Sequence, residues 1–164
     1  ALKTPNPEPA APIRRILAAY GPRMLEVARD RAAGAHTYHV NVEHTAQARE
    51  ILGAEAFLGV EHAVLFESDP DKARAIAREH LRPYLTSEYN IAKFRRLGYS
   101  ADEIATGADR IVDDLVFWGD LDTIVAKLRT HVEAGADHVG VQVIGIEPGQ
   151  SAMPYWRLLA EALI

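Results

Sequence analysis

The first residues that could do chemistry form the turn Tyr20-Gly21-Pro22-Arg23, between a predicted strand and a predicted helix. Proline suits the first helical position, because the N–H that it lacks has no partner there in any helix. A helix amino terminus leaves backbone N–H groups free and carries a partial positive charge, so it attracts anions. The turn therefore predicts a binding site for an anion such as phosphate or sulfate, with an ordinary helix start as the alternative.

Three histidines, His36, His39 and His44, occur close together and raise the question of a metal site. Successive side chains of a strand point to opposite faces, so His36 and His39 face opposite ways. No carboxylate stands at ligand spacing among the three, and we expect no metal. His36 and His39 are predicted near a strand end, where barrel enzymes place their active sites, which makes both candidates for catalysis. A place in the core or at a helix start is the alternative.

Polar residues also interrupt two apolar strands. Glu61 and His62 stand mid-strand, on opposite faces, between apolar neighbours. A buried carboxylate needs a partner or a raised pKa. We favour a structural carboxylate with satisfied hydrogen bonds for Glu61, because mid-strand positions lie below the mouth of a barrel. His138 and Gln142 share one face of the last strand, and Gln142 either lines a pocket or packs against a helix.

The elements that must position these residues alternate between strands and helices. Strands are predicted at 13–19, 35–40, 57–66 and 137–144, and a helix follows each of them. Residues 86–118 form a helical insertion before the last strand. Such alternation is typical of right-handed crossovers and a parallel sheet. We expect the strands to lie side by side in chain order, with helices on one face only.

Composition excludes several classes of protein. The 164 residues contain no cysteine, 48% hydrophobic and 25% charged residues, and their formal net charge is −5. The lack of cysteine removes disulfide scaffolds, thiolate metal sites and cysteine nucleophiles. The acidic balance argues against a general nucleic-acid binder. No apolar run is long enough to span a membrane, and we expect a cytoplasmic location.

Two α/β architectures compete for this pattern. A doubly wound fold usually has a glycine-rich phosphate loop after its first strand, and neither G-x-G-x-x-G nor G-x-x-x-x-G-K-[ST] occurs here. A closed (β/α)8 barrel needs about 250 residues, and this chain supplies about half of one. Residues 1–12 contain four of the nine prolines and predict an extended linker. The sequence therefore favours a half-barrel over residues 13–164.

An ordered set of short sequence pieces spans residues 13 to 159. The pieces are Ile16-Leu-Ala-Ala-Tyr-Gly-Pro-Arg-Met-Leu-Glu-Val-Ala28, Ala33-Gly34-Ala35-His36, Glu43-His44-Thr45 with Ala48-Arg49, Glu67-Ser68-Asp69-Pro70 with Ala73-Arg74, Asp109-Arg110-Ile111-Val112, Trp118-Gly119-Asp120, and Ala134-Gly-Ala-Asp-His-Val139 with Val141-Gln142-Val143. In this order they resemble the luciferase-like monooxygenase superfamily, in particular its branch of oxidoreductases that use coenzyme F420, a deazaflavin.

The resemblance implies the C-terminal half of a TIM (β/α)8 barrel, with strands five to eight. It implies coenzyme F420 as the cofactor, with FMN as the alternative, and hydride transfer to or from a small organic substrate. In that family the turn after the first of these strands gives backbone amides to the cofactor phosphate. The residues so implicated are Ala18, Ala19, Gly21 and Pro22, with Arg23 as a charge partner.

The chain departs from the family in one respect. The family's first four strands carry much of the pocket for the cofactor ring and the usual acid–base residues, and they have no counterpart here. The resemblance therefore predicts that the barrel is completed by a second copy, in a homo-oligomer, or by an N-terminal half-barrel. The alternative function is a non-catalytic half-barrel, either a fragment or an assembly unit.

Overall fold

A parallel sheet organises the computed structural model, which describes residues 10–11 and 13–163. The strands in this part of the chain are β1 (Ile16–Ala18), β2 (Gly34–Tyr38), β3 (Phe57–Leu65), β4 (Val116–Trp118) and β5 (His138–Val143). The helices are α1 (Pro22–Arg31), α2 (Val42–Leu52), α3 (Pro70–Leu85), α4 (Glu88–Arg96), α5 (Ala101–Thr106), α6 (Asp109–Leu115), α7 (Leu121–Glu133) and α8 (Met153–Leu163). The predicted linker over residues 1–12 lies outside the described residues, except for 10 and 11.

The predicted strand order is confirmed. Strand β1 pairs with β2, β2 with β3, and β3 with β5, and every pair is parallel. The register places Ala18 beside His36, Tyr38 beside Glu61, and Glu61 beside Gly140. All carboxyl ends therefore meet at one edge of the sheet, where parallel α/β folds place their binding sites.

Strand β4 corrects the predicted insertion, which treats residues 108–118 as helical. Helix α6 ends at Leu115, and Val116–Trp118 pair with Ala63–Leu65 of β3. The Leu65 carbonyl accepts from Gly119, while the Val64 carbonyl accepts from Ile144 of the β5 side. Since carbonyls of a strand alternate between its edges, β4 lies on the β2 side of β3, beyond the end of β2. The free backbone groups of β3 there make a strand more favourable than a further helical turn.

One face of the sheet, the outer face, is covered by helices along its length. Leu58, Val60 and Val64 of β3 point to it and are fully buried. Leu58 and Val60 pack in a cluster with side chains of α1 and α2, and Val64 packs with α7 and α8. Apolar burial on this face is the main stabilisation of the fold, at about 2 kcal/mol for each large side chain.

The opposite face, the inner face, also carries helices, so the prediction of helices on one face only is wrong. Ala63 and Leu65 point to the inner face and share a core cluster with Ala73, Ala77 and Ile111. The segment α3–α6 folds back over the carboxyl ends of the strands, because its own apolar side chains need a surface to cover. The rest of the inner face is open, and Ile16 and Tyr38 there are 39% and 38% exposed.

The backbone conformation and close packing of Gly34, the first residue of β2, lead to a first prediction. Its φ is +150°, and an added Cβ would overlap the backbone carbonyl of Phe57, with the Phe57 nitrogen 2.6 Å away. We expect Gly34→Ala to lower the free energy of unfolding by at least about 2 kcal/mol, because the paired strands must move apart. Urea unfolding of the native assembly measures this loss.

Gly21→Ala is the matched control for that prediction. A Cβ at Gly21 meets nothing within 4 Å, and its φ of −80° suits any residue. We expect this variant to stay within about 0.5 kcal/mol of the parent. Equal unfolding midpoints for the two variants would contradict the proposed constraint at Gly34.

Candidate functional site

The carboxyl ends of β1 and β2 form a small cavity on the inner face. Its volume is about 130 Å³, and its lining includes Ala18, Ala19, Tyr20, His36 and Tyr38. His36 is exposed on the face that the β2 burial pattern assigns to it, as predicted. The small side chains at 18 and 19 leave room beside the imidazole. The structure thus brings together three residues that the sequence singled out, Ala18, Ala19 and His36.

A second cavity of about 160 Å³ lies at the amino terminus of α1. It is lined by Gly21 and Pro22 together with His44, Gln47 and Arg96. Gly21 caps the helix with extended backbone, and Pro22 takes the first helical position. The Gly21 carbonyl accepts from Met24 and Leu25 at 3.0 Å. Among residues 13–163, no acceptor takes the backbone N–H groups of Gly21 and Arg23, so both donors are free to bind an anion.

The charge at this second cavity comes from a residue that sequence reasoning missed. Arg96, at the end of α4, lines the cavity and donates from Nη1 to the Tyr20 hydroxyl at 3.3 Å. Arg23, the predicted charge partner, is exposed and lines neither cavity. The last turn of α4 is rich in basic residues, but only the tertiary fold of the insertion brings one of them to β1.

His39, the other predicted catalytic residue, lies away from the open face. It is 5% exposed, has a left-handed φ of 49°, and its ring centroid lies 4.1 Å from that of Tyr84. Burial lowers the pKa of His39 to about 3, with Lys93 and His80 adding to the effect. Burial therefore favours the neutral form of the His39 ring.

The three neighbouring histidines do not converge. His44 hydrogen-bonds from Nε2 to the Tyr20 carbonyl at 2.7 Å and holds the turn after β1. Burial lowers the pKa of His44, although the Tyr20 carbonyl opposes this. Within the described ranges no group of three histidine, aspartate or glutamate side chains is arranged to hold a metal ion.

Polar side chains line the open part of the inner face. His36, Glu61, His138 and Gln142 all point to it, as the registers of β2, β3 and β5 require. His36, His138 and Gln142 are exposed, and Glu61 is half-buried. Among the described residues, none donates a hydrogen bond to Glu61 or forms an ion pair with it, so the partner expected of a structural carboxylate is not found there. Gly140, its neighbour on β5, has no side chain to donate a hydrogen bond.

Lys93 of α4 is a second candidate site residue that no sequence motif indicates. It is only 1% exposed, and its Nζ donates to the Tyr38 carbonyl at 3.2 Å. The same atom lies 4.5 Å from the centroid of the Tyr38 ring and 5.9 Å from that of Tyr20. Both rings line the 130 Å³ cavity, so a buried positive charge stands directly behind its wall.

The fold is one half of a (β/α)8 barrel. The predicted fold class is confirmed by solved structures of the same fold, and at the level of the fold they agree with the resemblance that the sequence motifs indicate. No protein-family model matches the chain, and no curated protein matches it. In the part of the chain that the structure describes, none of the helices has the length and apolar character needed to cross a bilayer.

Three solved structures illustrate the likeness. The coenzyme F420-dependent tetrahydromethanopterin reductase from Methanopyrus kandleri is 19% identical, with a TM-score of 0.61 over 89% of this chain and 48% of that one. An F420-dependent secondary alcohol dehydrogenase in complex with an F420–acetone adduct is 13% identical, with a TM-score of 0.59 over 83% of this chain and 44% of that one.

The third is a type II Baeyer–Villiger monooxygenase in complex with FMN, the oxygenating constituent of 3,6-diketocamphane monooxygenase from the CAM plasmid of Pseudomonas putida. It is 18% identical, with a TM-score of 0.52 over 88% of this chain and 45% of that one. The chain therefore spans about half the length of the proteins it matches. At these identities the likeness shows the fold.

Proposed function

We propose that this chain is the C-terminal half of an oxidoreductase of the luciferase-like type, which uses coenzyme F420 or, alternatively, FMN. The observation that carries the proposal is the site at the carboxyl end of β1. There the small residues Ala18 and Ala19 and the free amino terminus of α1 lie beside one another. Structural neighbours that use F420 or FMN support the choice of cofactor.

The residues at this site fit a cofactor with a phosphate group. The N–H groups of Gly21 and Arg23 are free donors, and the Arg96 guanidinium adds a positive charge at the same cavity. Charge-assisted hydrogen bonds of this kind are the strong ones. The small side chains at 18 and 19 permit close approach of a planar ring system. When bound, a deazaflavin ring supplies hydride transfer at its C5 position.

The chain's own residues then have separate tasks. The turn after β1 holds the phosphate, and the sheet face beside it orients a small organic substrate. His36 is exposed on this face and is the candidate for a hydrogen bond or a proton exchange with the substrate. His39 supports the strand end from within the protein, where Tyr84 and His80 pack against its ring.

Cofactor binding to the native assembly tests the proposal. Titration with coenzyme F420 and with FMN, followed by the visible absorbance and fluorescence of each, gives an affinity for both. We expect saturable binding of at least one of them. Failure of both to bind would contradict the proposed function.

Substitutions at the phosphate site provide a second prediction. We expect Gly21→Val and Arg96→Gln each to weaken cofactor binding by at least about tenfold, which corresponds to about 1.4 kcal/mol. Valine fits the backbone at 21 but projects into the cavity, and glutamine removes the charge. Arg95→Gln is the control, because Arg95 is exposed on the same helix and lines neither cavity. Unchanged affinity in Gly21→Val would contradict the phosphate site.

A non-catalytic half-barrel is the second candidate, and the open inner face favours it. An assembly unit would present this face to a partner rather than to a substrate. Under either proposal the barrel is completed by a second copy of the chain or by an N-terminal half-barrel. The cytoplasmic location stays a prediction.

A further inference from the structure

Glu61 stands in a recess of the inner face. Its neighbour on β5 is Gly140 and the preceding residue of β3 on the same face is Gly59. A Cβ added at Gly140 would approach only the Val60 carbonyl, at 3.9 Å. Gly140 thus leaves space on the β5 side of Glu61, and Tyr38 is its neighbour on β2. The position at Gly59 is closed, because the His36 and Phe57 side chains each lie 3.0 Å from an added Cβ. The side chain is half-buried and has no hydrogen-bond partner among the described residues.

Lys93 carries a positive charge that complements the Glu61 carboxylate. Both residues are neighbours of Tyr38, Glu61 in the sheet and Lys93 through the Tyr38 carbonyl. The Lys93 ammonium group has one hydrogen bond, to the Tyr38 carbonyl, and no ion pair within residues 13–163. A buried charge without a counter-charge costs several kcal/mol, so such a lysine is retained only with compensation. Three aromatic rings compensate in part, since Phe94 also lies 5.0 Å from Nζ. Glu61 is paired in the sheet with Tyr38, whose carbonyl Lys93 contacts, and its carboxylate opposes the lowering of the Lys93 pKa.

We propose that Glu61 is the group that exchanges the substrate proton, which leaves to His36 the hydrogen bond to the substrate, and that Lys93, which contacts Tyr38, is the positioning residue for Glu61. This inference rests on the proposed function. In the oxidation of an alcohol at this face, the O–H proton would pass to the Glu61 carboxylate, while the bound cofactor of the proposed function would accept the C–H hydrogen as hydride. In the reverse direction Glu61 returns that proton to the carbonyl oxygen.

The pKa shifts of Glu61 and Lys93 suit a proton-transfer role for Glu61. Burial raises the pKa of Glu61, and the Lys93 charge opposes the rise. Burial also lowers the pKa of Lys93 to about 8, with Glu61 opposing. The other groups on this part of the inner face are Tyr38 and His36 on β2, and His138 and Gln142 on β5, and none of them is a carboxylate. Lys93 is the charged group that opposes the rise of the Glu61 pKa.

The first test measures the coupling without any substrate. In the native assembly labelled with ¹³C-glutamate, NMR titration follows the Glu61 carboxyl signal, which is assigned by its loss in Glu61→Gln. We expect Lys93→Met to raise the titration midpoint of Glu61 by about 1 pH unit or more, because an opposing charge is removed. Lys93→Arg restores the charge and should return the midpoint. A midpoint that moves by less than about 0.3 units in Lys93→Met would overturn the coupling.

A second measurement covers the case in which Lys93→Met does not fold. Labelled with ¹⁵N at Nζ, Lys93 can be titrated in the parent and in Glu61→Gln. We expect its midpoint to fall in Glu61→Gln, because a stabilising negative charge is lost. An unchanged midpoint would overturn the coupling as well.

Kinetics test the proton-transfer role. We expect Glu61→Gln to lower kcat at least about 100-fold with little change in KM, since general acid–base catalysis contributes about that much. The ascending limb of the pH profile should move to higher pH in Lys93→Met. Glu55→Gln, at an exposed carboxylate before β3, is the control. Retention of kcat within about threefold in Glu61→Gln would overturn the role.

The outcomes separate this inference from the proposed function. A parent protein that binds cofactor and turns over an alcohol, while Glu61→Gln keeps its rate, contradicts only the role of Glu61. A parent that binds neither coenzyme F420 nor FMN contradicts the proposed function and the proton-transfer role with it. The shift of the Glu61 midpoint decides the coupling in both cases.

Discussion

A chain of these 164 residues alone should not behave in solution as a folded 18.0 kDa monomer. Within the described ranges, β1 pairs only with β2 and β5 pairs only with β3, so each has one edge of unsatisfied backbone groups. The open inner face adds the exposed side chains of Ile16 and Tyr38. From both features we expect another half-barrel or a second copy to cover these surfaces.

The helices at the two edges point to the same conclusion. Helix α1, beside β1, exposes Met24 by 48% and Val27 by 42%, and α8 exposes Trp156 by 46% and Leu158 by 43%. In a closed barrel each helix packs against helices on both sides. Apolar faces at both ends of the helix layer are therefore the places where two further helices would pack. The same surfaces would otherwise promote aggregation.

Sedimentation across a dilution series, with circular dichroism in parallel, measures this association. We expect dissociation to coincide with unfolding, because the interface is continuous with the core. Met24→Glu should shift both transitions to higher protein concentration. Ala46→Glu is the control, since α2 packs between α1 and α7 and residue 46 is exposed. A well-folded monomer with cooperative melting independent of concentration would contradict the half-barrel interpretation.

Mild acid should destabilise the protein strongly, because several buried histidines are neutral in the folded state. Burial lowers the pKa of His131 to about 4 and that of His39 to about 3, and it also lowers the pKa of His62 well below the usual value. The unfolded chain binds protons at its histidines with a pKa of about 6.5. As pH falls below that value, the unfolded state gains protons that the folded state does not, so stability is lost.

Burial explains why the folded state resists protonation of His131 and His62. The two rings are linked inside the protein, because the Thr45 hydroxyl contacts Nδ1 of His131 at 2.8 Å and Nε2 of His131 contacts Nδ1 of His62 at 3.0 Å. A proton added to either ring would put a charge in an apolar layer, where the His62 ring stacks on Phe117 with the ring centroids 3.7 Å apart.

Urea unfolding between pH 7 and pH 5 measures the effect. Each of the three histidines should contribute about 2 kcal/mol of lost stability over that range, with a limiting slope of about 1.4 kcal/mol per pH unit. We expect His131→Gln to be less stable than the parent at pH 7 but to lose less stability on acidification. His138→Gln, at an exposed position, should leave the slope unchanged. A flat profile from pH 7 to pH 5 would contradict neutral buried histidines.

The sequence was sufficient for the parallel sheet and its order. Alternating β and α patterns with glycine and proline at the boundaries are local signals, and the near-continuous apolar run of β3 identifies a strand buried by helices. The short motifs then indicated that this sheet belongs to half of a (β/α)8 barrel. The alternation of faces also placed His36 and Tyr38 on one side of β2, as the structure has them.

The sequence did not predict β4 or the position of the insertion. Val116–Trp118 become a strand only because β2 ends at Tyr38 and leaves part of the β3 edge free. Whether this part of the β3 edge is free depends on the relative lengths of β2 and β3, which are separate segments of the chain. For the same reason the sequence could not show that α3–α6 would cover part of the inner face.

The sequence by itself therefore determined the class of fold, its strand order and the turn at Gly21, because these follow from periodicity and local backbone chemistry. Only the tertiary structure decided which charged groups meet. Arg96 reaches the amino terminus of α1, and Lys93 is buried behind Tyr38, because the insertion packs over the strand ends. The burial of His39 and the lack of a partner for Glu61 have the same origin. Electrostatic energies depend on distance and burial between residues remote in sequence, which no local pattern encodes.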